Sequence, residues 1–381
     1  AEALDQFARL WRLLDEELDA EPCAETVSLQ SAIRECRLPE APAPQRRPIA
    51  LAPPPGPPAG QIERQVTAFA APRTPLVGRA SELAQIEAAL EGAVAGDGRL
   101  VLLAGEAGIG KTRLAQEAAV RAAARHAHVL WGACSESYSA LPYWPWVQAL
   151  RDYTRTRSPE RLRAELGAGG GDLAEIIPEL REALPDLQPP AVSSGAESAR
   201  IRLFTAASTL LRHAASARAI VLVLDDLHWA DDSSLLLLQF IVTELRDAPL
   251  LLLGTYRAEE SAAGDPLGRT LGALARDAGY LRLELAGLTR AEVGDLVAIQ
   301  APRQHDRALL EAVYERSEGN PLFVRELVAL LTQAERGRQP DAVLPEQVPE
   351  GIRAVLGRRA ARLSQACRQA LTLGALLGRE F

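Results

Sequence analysis

The segment from Gly105 to Thr112, with the sequence Gly-Glu-Ala-Gly-Ile-Gly-Lys-Thr, has the residue types and the spacing of a loop that binds phosphate. Its glycines let the backbone curl so that several N–H groups point at one anion, and the helix predicted to follow adds its positive end. Lys111 supplies a mobile cation for the outer phosphates of a nucleotide, and the Thr112 hydroxyl can ligate Mg²⁺. We therefore expect a nucleotide site at this loop.

Two adjacent carboxylates, Asp225 and Asp226, end the apolar run of residues 220–224. A carboxylate at the end of a buried strand can reach Mg²⁺ directly or through water, and a second one can orient and partly deprotonate an attacking water. Asp225 is the expected metal ligand and Asp226 the expected general base. The alternative for Asp226 is that it caps the following turn. Asp231 and Asp232, slightly downstream, fit the N-cap of the next helix better.

Arg257 follows the apolar run that starts at Leu250, and it is a candidate for contacting a γ-phosphate. An arginine that leaves a strand at the ligand edge of a sheet is well placed for this contact. The alternative is a surface ion pair with Glu259 or Glu260. We interpret His228 as a packing residue of the turn after the acid pair, and not as a catalyst.

The elements that position these residues alternate between short apolar runs and helical patterns from about residue 76 onward. Short apolar runs separated by helices are typical of a parallel sheet that is buried on both faces. The predicted fold class is α/β, with a parallel five-stranded sheet, helices on both faces, a helical lid and flanking helical segments. The predicted strands are residues 100–104, 129–131, 220–224, 250–253 and 281–285.

Shifts in composition along the chain predict its division into segments. Nine prolines between Pro39 and Pro58 indicate an extended linker without a core. The sequence from Thr289 to Glu292 matches a capping box, which opens a helix after the last strand. The predicted segments are helices at 1–36, the linker at 37–75, the sheet-containing core at 76–287, a helical lid at 288–336 and further helices at 337–381.

The 381 residues carry 42 basic and 50 acidic side chains, which gives a formal net charge of −8. This balance argues against a protein that coats nucleic acid, because such proteins are basic. The four cysteines lie far apart without a Cys-x-x-Cys pair, so we expect neither a zinc site nor a disulfide scaffold, and we predict a cytoplasmic location. No apolar run approaches the roughly 18 residues that span a bilayer, so no membrane partner is expected. The absence of methionine leads us to expect a piece of a longer protein.

Five segments of the chain follow one another in the order Leu76-Val-Gly-Arg79, the phosphate loop, Asp225-Asp-Leu-His-Trp-Ala-Asp231, Thr255-Tyr-Arg257 and Gly319-Asn-Pro-Leu-Phe323. In this order they resemble the STAND class of P-loop NTPases, the signal-transducing ATPases of large bacterial regulators. The resemblance covers about residues 74–381. It implies a P-loop NTPase fold with an extra strand between the strands of the phosphate loop and of the acid pair. A helical lid and the truncated start of a winged-helix-like domain at 337–381 would follow.

The resemblance also implies roles for single residues. It implies that Val77 to Arg79 and Pro321 frame the adenine and ribose, and that Arg257 senses the γ-phosphate. The expected catalytic residues are then Lys111, Asp226 and Arg257, and the expected metal ligands are Thr112 and Asp225. The expected nucleotide-binding residues, with ATP or ADP and Mg²⁺ as cofactors, are Val77, Gly78, Arg79, Gly105, Glu106, Ala107, Gly108, Ile109, Gly110, Lys111, Thr112, Arg113 and Pro321.

Residues 1–36 resemble the end of the bacterial transcriptional activator domain found in antibiotic-regulatory (SARP-type) activators. The phrase Asp19-Ala-Glu-Pro-Cys23 departs from the commoner Gly-Val-Glu-Pro-Ser form of that family. An acidic helical hairpin without this role is the alternative.

Together the two resemblances imply a regulatory switch module of a multidomain bacterial transcriptional activator. It would bind ATP and hydrolyse it slowly, bind DNA through an upstream domain, and self-associate in response to ATP. The alternatives are a motor-type ATPase of the AAA+ class, or a STAND sensor coupled to an output other than DNA, such as a cyclase or a kinase.

Overall fold

Five parallel strands form a single sheet in the computed structural model of the chain. The spatial order is β2-β3-β4-β1-β5, so β4 lies between β1 and β3. This confirms the predicted fold class and the extra strand between the strands that carry the phosphate loop and the acid pair. The strands are β1 (Arg99–Ala104), β2 (His128–Ala133), β3 (Ile220–Asp225), β4 (Leu250–Tyr256) and β5 (Tyr280–Glu284).

The structure describes residues 74–190, 195–244, 246–261, 264–276, 279–301 and 306–336, together with Gln365 and Cys367. The chain divides into two units, 1–65 and 66–381, and every described residue belongs to the second. The predicted helices at 1–36 lie outside the described residues. So do the linker at 37–75, except its last two residues, and the segment at 337–381, except Gln365 and Cys367.

Alternate residues of the strands bury into two separate cores on opposite faces of the sheet. In β3, for example, Ile220 and Leu222 belong to one core, whereas Val221 and Val223 belong to the other. This is the pattern of a sheet covered by helices on both sides, because successive side chains of a strand point to opposite faces. The helices of the core are α1 (Ala80–Val94), α2 (Lys111–Ala124), α3 (Trp144–Arg155), α4 (Pro159–Leu166), α5 (Gly170–Leu173), α6 (Glu179–Ala183), α7 (Ala196–Ala217), α8 (Asp232–Glu244) and α9 (Pro266–Leu274).

Helix α3 covers the exposed edge of the sheet at β2. Gln148 of α3 pairs its side-chain amide with both backbone groups of Ala133, donating to the carbonyl at 3.0 Å and accepting from the N–H at 3.3 Å. Gly132 packs against the carbonyl of Pro145 so closely that any Cβ at this position would collide with it. These contacts cover the carboxyl end of the edge strand and oppose its pairing with another chain there.

Three helices after β5 form the predicted lid, with a small core of their own that includes Val293, Val313 and Val324. The predicted capping box opens the first of them, because Thr289 N–H donates to Glu292 Oε2 at 2.8 Å and Glu292 N–H donates to Thr289 Oγ1. Across the described ranges, no helix combines the length and the hydropathy that a membrane span requires. The lid helices are α10 (Arg290–Gln300), α11 (Arg307–Ser317) and α12 (Pro321–Arg336).

Candidate functional site

A cleft of about 800 Å³ lies between the phosphate loop, the start of α2 and the lid. It opens at the carboxyl ends of the strands, where ligands bind in open parallel sheets. The predicted residues that line it are Val77, Arg79, Ala107, Gly108, Ile109, Gly110, Lys111, Thr112, Arg113, Asp226, Arg257 and Pro321. Gly78, Gly105, Glu106 and Asp225 do not line it.

Lys111 begins α2 directly after the loop, and its ammonium is held inside the loop. The Nζ atom donates to the carbonyls of Gly105 at 2.9 Å and of Glu106 at 2.8 Å, and the residue is only 6% exposed. Burial lowers the pKa of Lys111, whereas the negative charge of Asp226 opposes this effect. The cation thus lies at the positive end of a helix, where the charge of an anionic ligand would offset the free-energy cost of its burial.

Asp225 lies beneath the cleft, where one of its carboxylate oxygens accepts hydrogen bonds from two hydroxyl groups. Its Oδ1 accepts from Thr255 at 2.6 Å and from Thr112 at 3.0 Å. Burial, with the neighbouring charge of Asp226 as a second cause, raises the pKa of Asp225 to about 6. A divalent cation would offset this burial, and a carboxylate beside a threonine hydroxyl is a donor set that suits Mg²⁺ together with phosphate oxygens. The part of the chain that the structure describes holds no cluster of three or more His, Cys, Asp or Glu side chains able to bind a metal.

Asp226 adopts a left-handed backbone conformation, with φ of 58°, that turns its side chain into the cleft. Its N–H donates to the Thr255 hydroxyl at 2.9 Å, and its side chain is 39% exposed. Burial raises the pKa of Asp226, whereas the cations of Arg257 and Lys111 oppose this effect. The side chain makes no capping hydrogen bond to the turn at Leu227–Trp229, so the alternative role as a cap is not realised.

Arg257 lies between an ion-pair partner and the cleft. Its Nη1 pairs with Glu260 Oε1 at 2.9 Å, as the surface alternative predicts. The same side chain nevertheless lines the cleft together with Asp226 and Lys111. The guanidinium is therefore anchored on one side and faces the ligand space on the other.

The segment before α1 braces the phosphate loop. Arg79 donates to the carbonyl of Ile109 at 3.2 Å, to the carbonyl of Ala286, and to Glu82 at 3.1 Å. Gly78 lies against Glu292 at the start of the lid. The guanidinium of Arg79 thus donates to oxygens of the protein itself, and these hydrogen bonds connect the phosphate loop to the segment between β5 and the lid.

The lid contacts the phosphate loop through the start of α12. Asn320 Nδ2 donates to the carbonyl of Ala107 at 3.1 Å, while Leu322 N–H donates to Asn320 Oδ1 at 3.1 Å and to the carbonyl of Gly108 at 3.3 Å. Gly108, with φ of 82°, has no room for a side chain, because a Cβ would lie 2.7 Å from Leu322 Cβ. Pro321 and Leu322 therefore enter the cleft at a position set by the loop.

Several residues of the site were not predicted as site residues. Thr255 links Asp225 to the backbone of Asp226, and its place depends on β4 being the neighbour of β3, which sequence spacing does not show. His228 lies fully buried behind Asp226. The amphipathic pattern of the lid helices contained a signal for the lining residues on these helices, which are Leu296, Ile299, Gln300, Leu322, Arg325, Glu326 and Ala329. The other lining residues, outside the lid helices, are Thr74, Pro75, Leu76, Gln116 and Leu288.

Residues 75–253 match a protein family described as AAA ATPase domain, a span somewhat short of half the chain. The matched span includes the phosphate loop, the acid pair and strands β1 to β3, and it ends within β4. The match thus covers the part of the core that carries the phosphate loop and the acid pair.

Among curated proteins, an uncharacterized protein of Rhizobium meliloti (strain 1021) is 26% identical over 284 residues, which is 68% of this chain and 25% of the relative. The chain thus spans about a quarter of the length of this relative. A solved Signal Transduction ATPase with Numerous Domains (STAND) protein with a tetratricopeptide repeat sensor, from Pyrococcus horikoshii, aligns with a TM-score of 0.37 and 14% identity over 78% of this chain and 34% of that one. The ADP form of the ORC2 protein of Aeropyrum pernix aligns with a TM-score of 0.45 and 13% identity over 79% of this chain and 74% of that one.

Proposed function

Starting from a domain of AAA ATPase type, we propose that this chain binds ATP with Mg²⁺ between its core and its lid and hydrolyses the nucleotide slowly. The observation that carries the proposal is that Lys111, Thr112 and Asp226 line one cleft, with Asp225 bonded to Thr112 directly beneath it. A phosphate-binding loop alone accounts for an anion site. The two carboxylates at the end of β3 add what metal binding and water activation require.

Each residue has a distinct task in this proposal. The backbone N–H groups of the loop and the start of α2 bind the phosphates, and Lys111 moves from the loop carbonyls to the outer phosphates. Thr112 and Asp225 would hold Mg²⁺, which when bound neutralises charge on the phosphates. Asp226 accepts a hydrogen bond from the attacking water and takes its proton, and Arg257 binds the γ-phosphate oxygens with the guanidinium edge that Glu260 leaves open.

The regulatory part of the proposal rests on the contact between the lid and the loop. Because Asn320 and Leu322 bond to the carbonyls of Ala107 and Gly108, a change of the loop on nucleotide binding is transmitted to α12 without an intermediate. A coupling of only about 1–3 kcal/mol between two sites is sufficient for a switch.

The larger setting that we propose is a cytoplasmic transcriptional regulator of the STAND type with a SARP-like activator segment. DNA would be bound by an upstream domain, and ATP would promote self-association. The support for this setting is the resemblance of residues 1–36 and of the five segments between Leu76 and Phe323.

Titration calorimetry with ATP tests the proposed site. Lys111→Ala should weaken ATP binding at least about tenfold, because a charge-assisted hydrogen bond contributes about 1.5–3 kcal/mol. Arg163→Ala is the matched control, since Arg163 is also cationic but pairs with Asp186 on the surface and does not line the cleft. Unchanged ATP affinity in Lys111→Ala would refute the assignment of the phosphate loop.

A further inference from the structure

His228 lies between two carboxylates that belong to different parts of the site. Its side chain is fully buried, with Nδ1 3.8 Å from Asp226 Oδ1 and Nε2 3.7 Å from Glu260 Oε2. The ring also packs against Trp229, with 5.4 Å between the ring centroids. Each ring nitrogen therefore faces one carboxylate, an arrangement that packing alone does not require.

Glu260 uses its two oxygens for two different neighbours. Oε1 pairs with Arg257 Nη1 at 2.9 Å, and Oε2 is the oxygen that faces His228. Asp226, His228, Glu260 and Arg257 thus lie in a row. An ion pair joins Glu260 to Arg257, and two polar contacts that are longer than a hydrogen bond join His228 to Asp226 and to Glu260. The two ends of the row, Asp226 and Arg257, both line the cleft, whereas His228 and Glu260 do not.

We propose that His228 and Glu260 are positioning residues, which hold Asp226 and Arg257 at a fixed spacing on the two sides of the reacting phosphate. The inference rests on the proposed function, because it assumes that Asp226 and Arg257 act on ATP. Neither His228 nor Glu260 touches the nucleotide in this assignment. They act only through the two side chains that do.

The physical reason lies in the freedom of the two end residues. Arg257 has a long side chain, and a carboxylate on one edge of its planar guanidinium fixes the direction of the other edge. Asp226 is partly exposed, so its orientation needs a second constraint besides the hydrogen bond of its backbone to Thr255. A misplacement of about 1 Å at a reacting group can lower a rate about 100-fold.

Conservative variants separate positioning from packing. His228→Phe keeps an aromatic ring in the buried site but removes both nitrogens, whereas His228→Gln restores a polar group that can reach Glu260. Glu260→Gln keeps the shape and removes the charge. Glu197→Gln is the control, because it removes an equal charge at an exposed position that does not line the cleft.

The readouts are the single-turnover rate of ATP hydrolysis, the affinities for ATP and ADP, and the thermal melting temperature, all measured on the full chain. We expect His228→Phe and Glu260→Gln each to slow hydrolysis about tenfold or more, with ADP affinity within about twofold of wild type. His228→Gln should hydrolyse ATP faster than His228→Phe. The double variant His228→Phe with Glu260→Gln should be no slower than the slower single variant, because both act on the same spacing. Glu197→Gln should behave as wild type.

Three results would overturn the inference: wild-type rates in both single variants, losses that multiply in the double variant, or faster hydrolysis in His228→Phe than in His228→Gln. The last result would identify His228 as a packing residue. A wild-type chain that binds or hydrolyses no ATP would instead refute the proposed function, and the inference with it.

Discussion

Asp225 is a buried carboxylate beside a second carboxylate, and both features disfavour its charged form. It is 7% exposed, and its pKa is raised to about 6 from an ordinary value of 3.8. The folded protein therefore holds this proton more tightly than the unfolded chain between about pH 4 and pH 6. The free energy of unfolding falls as the pH rises through that range, and the full penalty persists at higher pH.

Asp225→Asn should stabilise the folded protein at pH 7.5, when nucleotide is absent and a chelator is present. The expected gain in the free energy of unfolding is at most about 3 kcal/mol, because each unit of pKa shift corresponds to about 1.4 kcal/mol. The gain should vanish below about pH 3, where the carboxyl is neutral in both states. Urea unfolding across this pH range checks it, with the exposed Asp295→Asn as control. Equal stability of Asp225→Asn and wild type at pH 7.5 would show that burial does not penalise this carboxylate.

Asp226→Asn should retain ATP binding and slow hydrolysis by about 100-fold to 10,000-fold, the usual contribution of general base catalysis. The amide keeps the shape of the side chain, and the hydrogen bond from the backbone of residue 226 to Thr255 does not involve the carboxylate. Single-turnover hydrolysis and ATP titration on the same preparation check the prediction. A variant with wild-type turnover would remove Asp226 from the role of base.

The sequence is sufficient to predict which residues meet at the site only where spacing is fixed by a motif. Lys111 and Thr112 are adjacent to the loop, and Asp225 ends a strand, so their convergence with the loop follows from the motif and the order of elements. Thr255, His228 and Glu260 could not be assigned in this way. Their roles depend on the lateral order of the strands and on the turn after β3, which are tertiary features.

At the scale of elements, helix α12 contacts the phosphate loop directly, and we propose that the lid responds to nucleotide through this contact. The side-chain amide of Asn320 donates a hydrogen bond to the carbonyl of Ala107 and accepts one from the N–H of Leu322, and the residue is only 4% exposed. Both bonds lie at the start of α12, so they fix the position of the helix end and not merely that of one side chain.

Asn320→Ala should uncouple the lid from the loop. Hydrogen exchange of the α12 backbone should slow when ATP binds to wild type, and most of this protection should be lost in the variant. ATP affinity should fall about threefold to tenfold, because each lost hydrogen bond contributes about 0.5–1.5 kcal/mol. Thr332→Ala is the control, since Thr332 lies on the same helix and bonds to Val328 instead of the loop. Nucleotide-dependent protection of α12 that survives in Asn320→Ala would count against this route of coupling.

The elements were predictable to different degrees, for physical reasons. Strands buried on both faces have continuous apolar runs, so the bounds of the five strands agree closely with prediction. The helices between β2 and α7 could not be predicted from the sequence. These four helices are short. One of them, α3, is positioned by the close contact of its backbone with Gly132, and this contact corresponds to no pattern in the sequence.

At the scale of the whole molecule, a switch and a motor differ in how turnover depends on assembly. A motor-type ATPase needs an arginine from a neighbouring copy, whereas a switch can hydrolyse slowly with its own residues. Arg257 belongs to the same chain as the phosphate loop and already lines the cleft.

We therefore expect ATP turnover per chain to be slow and to change less than about twofold when the protein concentration is raised 100-fold. Steady-state rates across that range, combined with sedimentation in ATP and in ADP, check the expectation. Rapid turnover that rises steeply with concentration would instead favour the motor-type alternative. The same conclusion would follow if Arg257→Ala abolished turnover and mixing it with a second chain that keeps Arg257 restored it.

The position of β4 has a consequence for the order in which the chain acquires its structure during synthesis. Strand β1 pairs only with β4 and β5 in the sheet, and β3 reaches β1 only through β4. Until residue 250 has left the ribosome, the strand that carries the phosphate loop has no hydrogen-bonding neighbour, whereas β2 and β3 can already pair. The binding loop and the acid pair are therefore joined late, so a nascent chain is expected to reach nearly its last strand before it can capture a nucleotide. During that interval both edges of β1 depend on early helix packing, or on a chaperone, for protection from aggregation.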